Sequence, residues 1–478
     1  MCTGRRHLVS LAVCAVGVST AACSSSLSPV AREIRAADEA PEVRARAPAA
    51  AKRGEATTPA PPAALVDEAA ALERPLDLGA VELAVLAHHP SLLAAAHRVR
   101  ALTARAGAEA SLPAPELMVE IWQIPFAKPY ALDKAGMIMI SVRQQLPAAG
   151  SLDLTAEATA LEARAEAALV AAAARSLVRE ADRVFADYAE ATGVHAAHVE
   201  HRRVVAEMAA AARARFATGG ALSDLTKADL EQARLDVHIA HEHGMIEEAR
   251  AKLNGLLLRP VGAPLGPPRL EEPATVALSA EQAAVRALAR SPDVAAAELM
   301  EKAARTSVLA ADREASRPSF TVGLDTFMPV NNTPFGYGGS FSISLPWVWG
   351  GASKRMRSAE QRALAERASA DNVRLRVRTE VATALAAVHA RERVYLLLRD
   401  LAAPAARRAV DAAGAAYATR GADLLAWLDA ARGSLDVAME LSTARAEIAR
   451  SLADLDAAAG EHLPRTPLSS LQESNHAP

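Results

Sequence analysis

The strongest constraint in this chain is that it contains one unit twice. His89-Pro90-Ser91-Leu92 is echoed by Ser291-Pro292-Asp293-Val294, and Leu146-Pro147 by Leu345-Pro346. Further on, Phe216-Ala217-Thr218-Gly219-Gly220 is echoed by Tyr417-Ala418-Thr419-Arg420-Gly421, and Ala233-Arg234-Leu235-Asp236 by Gly433-Ser434-Leu435-Asp436. The landmarks keep their order at a spacing of about 200 residues, far beyond the roughly 20–50 residues of solenoid units. Each copy therefore has the size of a domain. The repeats occupy 76–259 and 278–460, joined by a proline-rich linker over 260–277.

Within each copy the hydrophobic period changes in the same sequence. It predicts a short helix (about 78–112 and 279–315), a β-like stretch (about 116–146 and 319–346), a very long helix (about 152–217 and 352–418), a glycine-containing turn, and a returning helix (about 222–257 and 423–459). At about 1.5 Å per residue the long helices span roughly 100 Å, and two short helices end to end match one long one. Pro404 predicts a kink in the second long helix. Aromatics are only 3% of the chain while alanine is abundant, which suits closely packed helices. The prediction is a column of antiparallel coiled hairpins.

The β-like stretches alternate. Phe320, Val322 and Leu324 alternate with Thr321, Gly323 and Asp325, and Phe341, Ile343 and Leu345 alternate with Ser342 and Ser344. In the first copy Leu117, Val119 and Ile121 alternate with Met118 and Glu120, and Ile138, Ile140 and Val142 with Met139, Ser141 and Arg143. Each run has the nine or so residues that a tilted strand needs to cross a bilayer. Ten of the sixteen aromatics lie in or beside these runs, including Trp122, Phe126, Tyr130, Phe335, Trp347 and Trp349 at their ends, as interfacial girdles do. Four strands with open edges cannot face lipid, so the barrel must be shared between subunits. A dimer would give eight strands and a filled interior, a trimer twelve and a channel.

The amino terminus predicts export. Arg5, Arg6 and His7 precede an apolar stretch, so residues 1–22 are expected to be a signal peptide. Ser19-Thr20-Ala21-Ala22-Cys23 resembles a bacterial lipoprotein processing box, and Cys2 and Cys14 would leave with the signal. Cys23 alone at the new amino terminus suits acylation, not a disulfide framework. The stretch 23–75 is expected to be a flexible tether and 461–478 a disordered tail. Formal net charge is −3, so the balance gives no sign of a nucleic-acid partner.

The duplicated units, the strand pairs set between helices, and the segments Phe216-Ala217-Thr218-Gly219 and Tyr417-Ala418-Thr419 resemble the TolC-like outer-membrane factors. Ala114-Pro115-Glu116-Leu117-Met118-Val119-Glu120, Arg317-Pro318-Ser319-Phe320-Thr321-Val322 and Gly350-Gly351-Ala352-Ser353-Lys354-Arg355 are similar to segments of the heavy-metal exporter subclass. The resemblance implies a mainly α chain with a transmembrane β-barrel portion, four strands per subunit, and a homotrimer with a twelve-stranded barrel. It implies an outer-membrane location and a long periplasmic tunnel that meets a periplasmic adaptor and an inner-membrane pump. The function implied is a passive exit duct for heavy-metal or drug efflux. The competing readings are a periplasmic adaptor, which would carry one hairpin inside split β modules, and a structural coiled-coil lipoprotein without a pore. No phosphate loop, nucleophile elbow or His-Glu-x-x-His motif is present, and no catalysis or cofactor is expected beyond the lipid on Cys23.

Two sets of residues are candidate sites. Asp224 and Asp229 follow the first hairpin turn, and Asp423 and Asp429 the second, so threefold symmetry would make carboxylate rings at a periplasmic gate. Helix capping is the competing role for Asp224 and Asp423. Six of the thirteen histidines lie in two groups, His195, His198 and His201, then His238, His241 and His243. Numbers summing to about 439 should face each other across the turn, pairing His198 with His241 and His201 with His238, with His195 and His243 one off the sum. The first four are candidate ligands for a divalent metal, against the plainer reading of a solvated helix face. The second copy offers Leu396, Arg399 and Ala402 there.

Overall fold

The computed structural model describes residues 72–469 apart from 73, 125, 127–129, 131–134, 330–334 and 420. The expected signal peptide, Cys23 and nearly all of the tether lie outside the described residues. Each repeat runs helix, strand pair, long helix, returning helix. In the first, α1 (Leu78–His88) and α2 (Pro90–Glu109) lead to β1 (Glu116–Trp122) and β2 (Met137–Leu146), then α3 (Ser151–Ala217) and α4 (Leu222–Leu256). After a short strand β3 (Ala274–Thr275), the second has α5 (Ala280–Arg290), α6 (Pro292–Ser316), β4 (Ser319–Pro329), β5 (Gly336–Ser344), α7 (Gly351–Leu397), α8 (Ala403–Ala418) and α9 (Leu424–Ala459). A last strand, β6 (Thr466–Pro467), closes on β3.

Local chemistry sets the boundaries. Gly150 and Gly350 stand immediately before the two long helices with φ of 82° and 67°, a left-handed conformation that a side chain would strain. The first turn needs glycine twice: Gly219 has φ 91°, and a Cβ on Gly220 would sit 2.8 Å from the Arg215 carbonyl oxygen. α3 is 67 residues long, about 100 Å. Its buried side chains are dominated by alanines such as Ala158, Ala160, Ala165, Ala181 and Ala209, so neighbouring helices approach closely.

Two sequence expectations are corrected, for the short helices and for the tail. The short helices are not continuous. His89 and Ser291 are extended (ψ 126° and 123°) and Pro90 and Pro292 begin new helices, because proline disfavours a helical residue before it and suits the first helical position. At Pro404 a π turn over Leu398–Ala402 absorbs the missing N–H ahead of the proline. Residues 461–469, expected to start a disordered tail, are anchored: Leu463 and Leu468 are buried and β6 pairs with β3. Residues 470–478 lie outside the described residues.

The core is a belt partway along the column. Leu177, Ala181, Phe185 and Tyr188 of α3 pack with Ile246, Ala249 and Leu253 of α4 and Val81 and Val85 of α1. Val377, Val381, Leu385 and Val388 of α7 take the same positions in the second repeat, with Ile448, Leu452 and Leu455 of α9. A separate cluster at the tip joins Met208, Ala209 and Ala212 to Tyr417, Leu424 and Leu428.

Candidate channel wall, entrance and histidine seam

The strands form one antiparallel sheet in the order β1-β2-β4-β5, so the two repeats meet at the β2–β4 pair. Register keeps the alternation aligned across all four strands. Leu117 faces Val142, Val142 faces Leu324, and Leu324 faces Gly339; Val119 faces Ile140, and Val322 faces Phe341. This apolar face is open: Leu324 is 63% exposed, and Leu117, Val119, Phe341 and Ile343 are also exposed. Trp122, Phe335 and Tyr337 lie at the hairpin end and Trp347 and Trp349 at the helix end, all exposed, with nine residues of β5 between them.

The opposite face is polar. Ser141 faces Asp325, and Arg143 faces Gly323. Ser141 is fully buried and Asp325 only 6% exposed, and the Ser141 hydroxyl, one Asp325 oxygen and Arg143 Nε have no hydrogen-bond partner. Glycine makes this packing possible. A Cβ on Gly323 would sit 2.3 Å from Ser340 Oγ and 3.0 Å from Arg143 Cγ, and one on Gly338 would sit 3.1 Å from the Phe327 ring. Alternation placed these residues on the inner face; their crowding depends on cross-strand neighbours that one strand does not display.

All four candidate gate aspartates are engaged within the subunit. Asp423 accepts a hydrogen bond from the Ala426 amide at 3.0 Å as the cap of α9. Asp229 pairs with Arg213 at 3.2 Å across the first turn, and Asp429 lies 3.7 Å from Arg432. Asp224 accepts from the Tyr417 hydroxyl at 3.4 Å, which ties α4 to α8. The Arg215 guanidinium lies over the Tyr417 ring at 4.6 Å, and the Trp427 ring is 5.6 Å away. The tip of the first hairpin is thus latched to the second through Tyr417.

His195 meets His243 as the number sum predicts to within one, but His198 does not meet His241. His198 lies against His238, ring centres 5.6 Å apart and planes within 5°, and His195 against His243 at 6.5 Å. The register slips because Thr218 to Ala221 form an asymmetric turn closed on Arg215. His198 and His201 are each 5% exposed, and burial holds both imidazoles below their ordinary pKa. His201 sits by Glu231, which makes a two-point ion pair with Arg432. His238 and His241 are exposed.

One charged junction escaped sequence reasoning. Asp182 of α3 and Glu82 of α1 line a cavity of about 230 Å3 with Arg445, His462 and Arg465. Asp456 accepts from His462 at 2.7 Å, from Arg465, and from the Leu463 amide at 3.2 Å. These groups come from three segments far apart in the chain, so no local motif announces them.

Residues 283–461, from α5 to the end of α9, match the outer membrane efflux protein family. The first repeat shares the strand pair and long hairpin of that region, and solved structures of the same fold cover both repeats. The family match thus covers the second repeat, and the first is tied to it by the duplication and by fold. The chain's fold is similar to that of CusC, with TM-score 0.70 and 19% identity over 80% of this chain and 92% of that one. It is also similar to the Neisseria gonorrhoeae MtrE outer membrane channel in its open state (TM-score 0.65, 21% identity, 81% and 89% covered). The Vibrio cholerae outer membrane protein VceC gives TM-score 0.66 and 17% identity over 81% of this chain and 97% of that one. At these identities the likeness is one of fold. No curated protein sequence matches this chain significantly.

Proposed function

We propose that the protein is the outer-membrane exit duct of a tripartite efflux system, working as a homotrimer with a periplasmic adaptor and an inner-membrane pump. The observation that carries this reading is the four-stranded sheet, apolar and exposed on one face, polar on the other, with β1 and β5 unpaired at its edges. Such edges are tolerable in lipid only when a second copy closes them. Twelve strands leave a channel, whereas eight would be filled by Arg143, Phe327, Met139 and their inward neighbours. A coiled-coil lipoprotein without a pore has no use for that sheet.

Purified protein should appear in electron micrographs as a tube of about 130–140 Å, the barrel added to roughly 100 Å of helix. It should conduct in a planar bilayer. A compact soluble particle without conductance is the outcome that sinks the proposal. In the same recordings, replacing Asp224, Asp229, Asp423 and Asp429 with Asn should change conductance or cation block if the carboxylates line the entrance. Identical traces would remove the gate role and leave Asp423 as a cap. Cys23 carries the anchoring lipid in this scheme; mass spectrometry of the mature amino-terminal peptide should find it acylated.

A further inference from the structure

The α3/α4 hairpin carries six histidines, three of them on α3 at His195, His198 and His201, where the second repeat at the belt's offset of 200 residues has Tyr395, Leu398 and Leu401. At its seam the His198 and His238 ring centres lie 5.6 Å apart. Two imidazoles that share a tetrahedral zinc at about 2.0–2.1 Å hold their ring centres about 5–6 Å apart, so the separation fits, and His238 has to rotate out of its parallel stacking for both lone pairs to meet one ion. His195 precedes His198 by three residues and Glu242 follows His238 by four, the spacings that put side chains on one helix face. The three groups whose charges act on the His198 ring are Glu242, His238 and His195. Nδ1 of His198 is buried without a hydrogen-bond partner. Burial also lowers its pKa, which keeps it in the neutral form that ligates metals.

We propose that this seam is a divalent-cation site, fitted to zinc, with His195, His198, His238 and Glu242 as ligands. Three imidazoles and a carboxylate are a borderline donor set, suited to zinc and unlike the all-oxygen shells of calcium or magnesium. Among the described residues no three such donors yet converge on one point. The side chains that must turn are those of His238, which is exposed, and of His195 and Glu242, which are half-buried, and a rotamer change there costs little. The site ends at His198. His201, further along, sits by Glu231, whose carboxylate is already taken up in the ion pair with Arg432. A bound ion would brace α3 to α4 between the belt and the tip, once per subunit, whether or not the sheet forms a pore.

The test is isothermal titration of untagged, detergent-solubilised full-length protein with zinc chloride near pH 7.5, where free imidazole is neutral. One zinc per subunit is expected, with His198→Ala/His238→Ala weakening it at least about tenfold. His195→Ala/Glu242→Gln changes no fully buried side chain and should weaken binding in the same way, which separates ligation from misfolding. His241→Ala, which removes neither ring contact, should bind like the parent. Absence of zinc binding by the parent, or binding as tight as the parent's by either double variant, overturns the proposal.

Discussion

Asp182 is 9% exposed on a helix face turned toward Glu82, and burial first, then the Glu82 carboxylate, push its carboxyl up to about 7. Because the folded value lies above the ordinary 3.8, the folded chain holds a proton that the unfolded chain releases between about pH 4 and 7. The contribution is fully present below the unfolded value and is lost as pH rises through 7. His462, raised by its hydrogen bond to Asp456, has the same sign above its ordinary 6.5. His198 and His201, lowered by burial, have the opposite one and cost stability as pH falls below 6.5. A difference measurement isolates the aspartate. Asp182→Asn should match the parent near pH 4.5 and exceed it at pH 8 by on the order of 1–3 kcal/mol. Thermal unfolding of both proteins across that range checks it; a gap that does not widen with pH would show that the carboxyl is ionised throughout. The histidine positions were legible as a cluster, and His195 with His243 as a pair, but the partner of His198 was not, because helix register across a turn depends on the conformation of Thr218 to Ala221, which composition does not fix.

At the scale of the strand, the two faces of one sheet should answer differently to the same charge. Leu324 lies on the apolar face between Val142 and Gly339, while Ser342 lies on the other face opposite Thr321. Leu324→Arg should cost about 2–4 kcal/mol in the membrane and lower the fraction that assembles there, whereas Ser342→Arg should assemble and alter conductance. Equal assembly of the two in membrane fractions would mean that the apolar face does not meet lipid. Alternation made the strands readable, since side-chain period two is a local property. The long helices were readable for the same reason. The breaks at His89 and Ser291 were hidden by alanine-rich sequence that continues the helical pattern on both sides, although Pro90 and Pro292 marked them. The anchoring of 461–469 was not readable at all: it rests on Leu463 and Leu468 entering a core built by α7 and α9, and on Asp456 reaching three groups at once.

For the whole molecule, duplication and closure are linked. Each repeat supplies two antiparallel strands, so a subunit presents an even number, and β5 necessarily runs antiparallel to the β1 of the next copy at every junction of a ring. Any number of subunits could close by that rule; the bulk of the inward side chains selects three over two. The same junction gives a covalent readout. All three cysteines lie within the first 23 residues, so engineered pairs in the barrel report without interference once Cys23 is acylated. Cysteines placed at Met118 or Glu120 of β1 and at Ser340 or Ser342 of β5 share the inward face, and scanning these combinations samples the register between copies. Within one chain β1 and β5 are separated by β2 and β4, about 14 Å at the spacing of neighbouring strands, too far for a disulfide. Every bridge must therefore join two subunits. Oxidised membranes should yield dimers and trimers on a non-reducing gel and nothing larger, collapsing to monomer on reduction. A ladder stopping at dimer would favour the eight-stranded ring, and monomer alone across the whole scan would show that β1 and β5 do not meet.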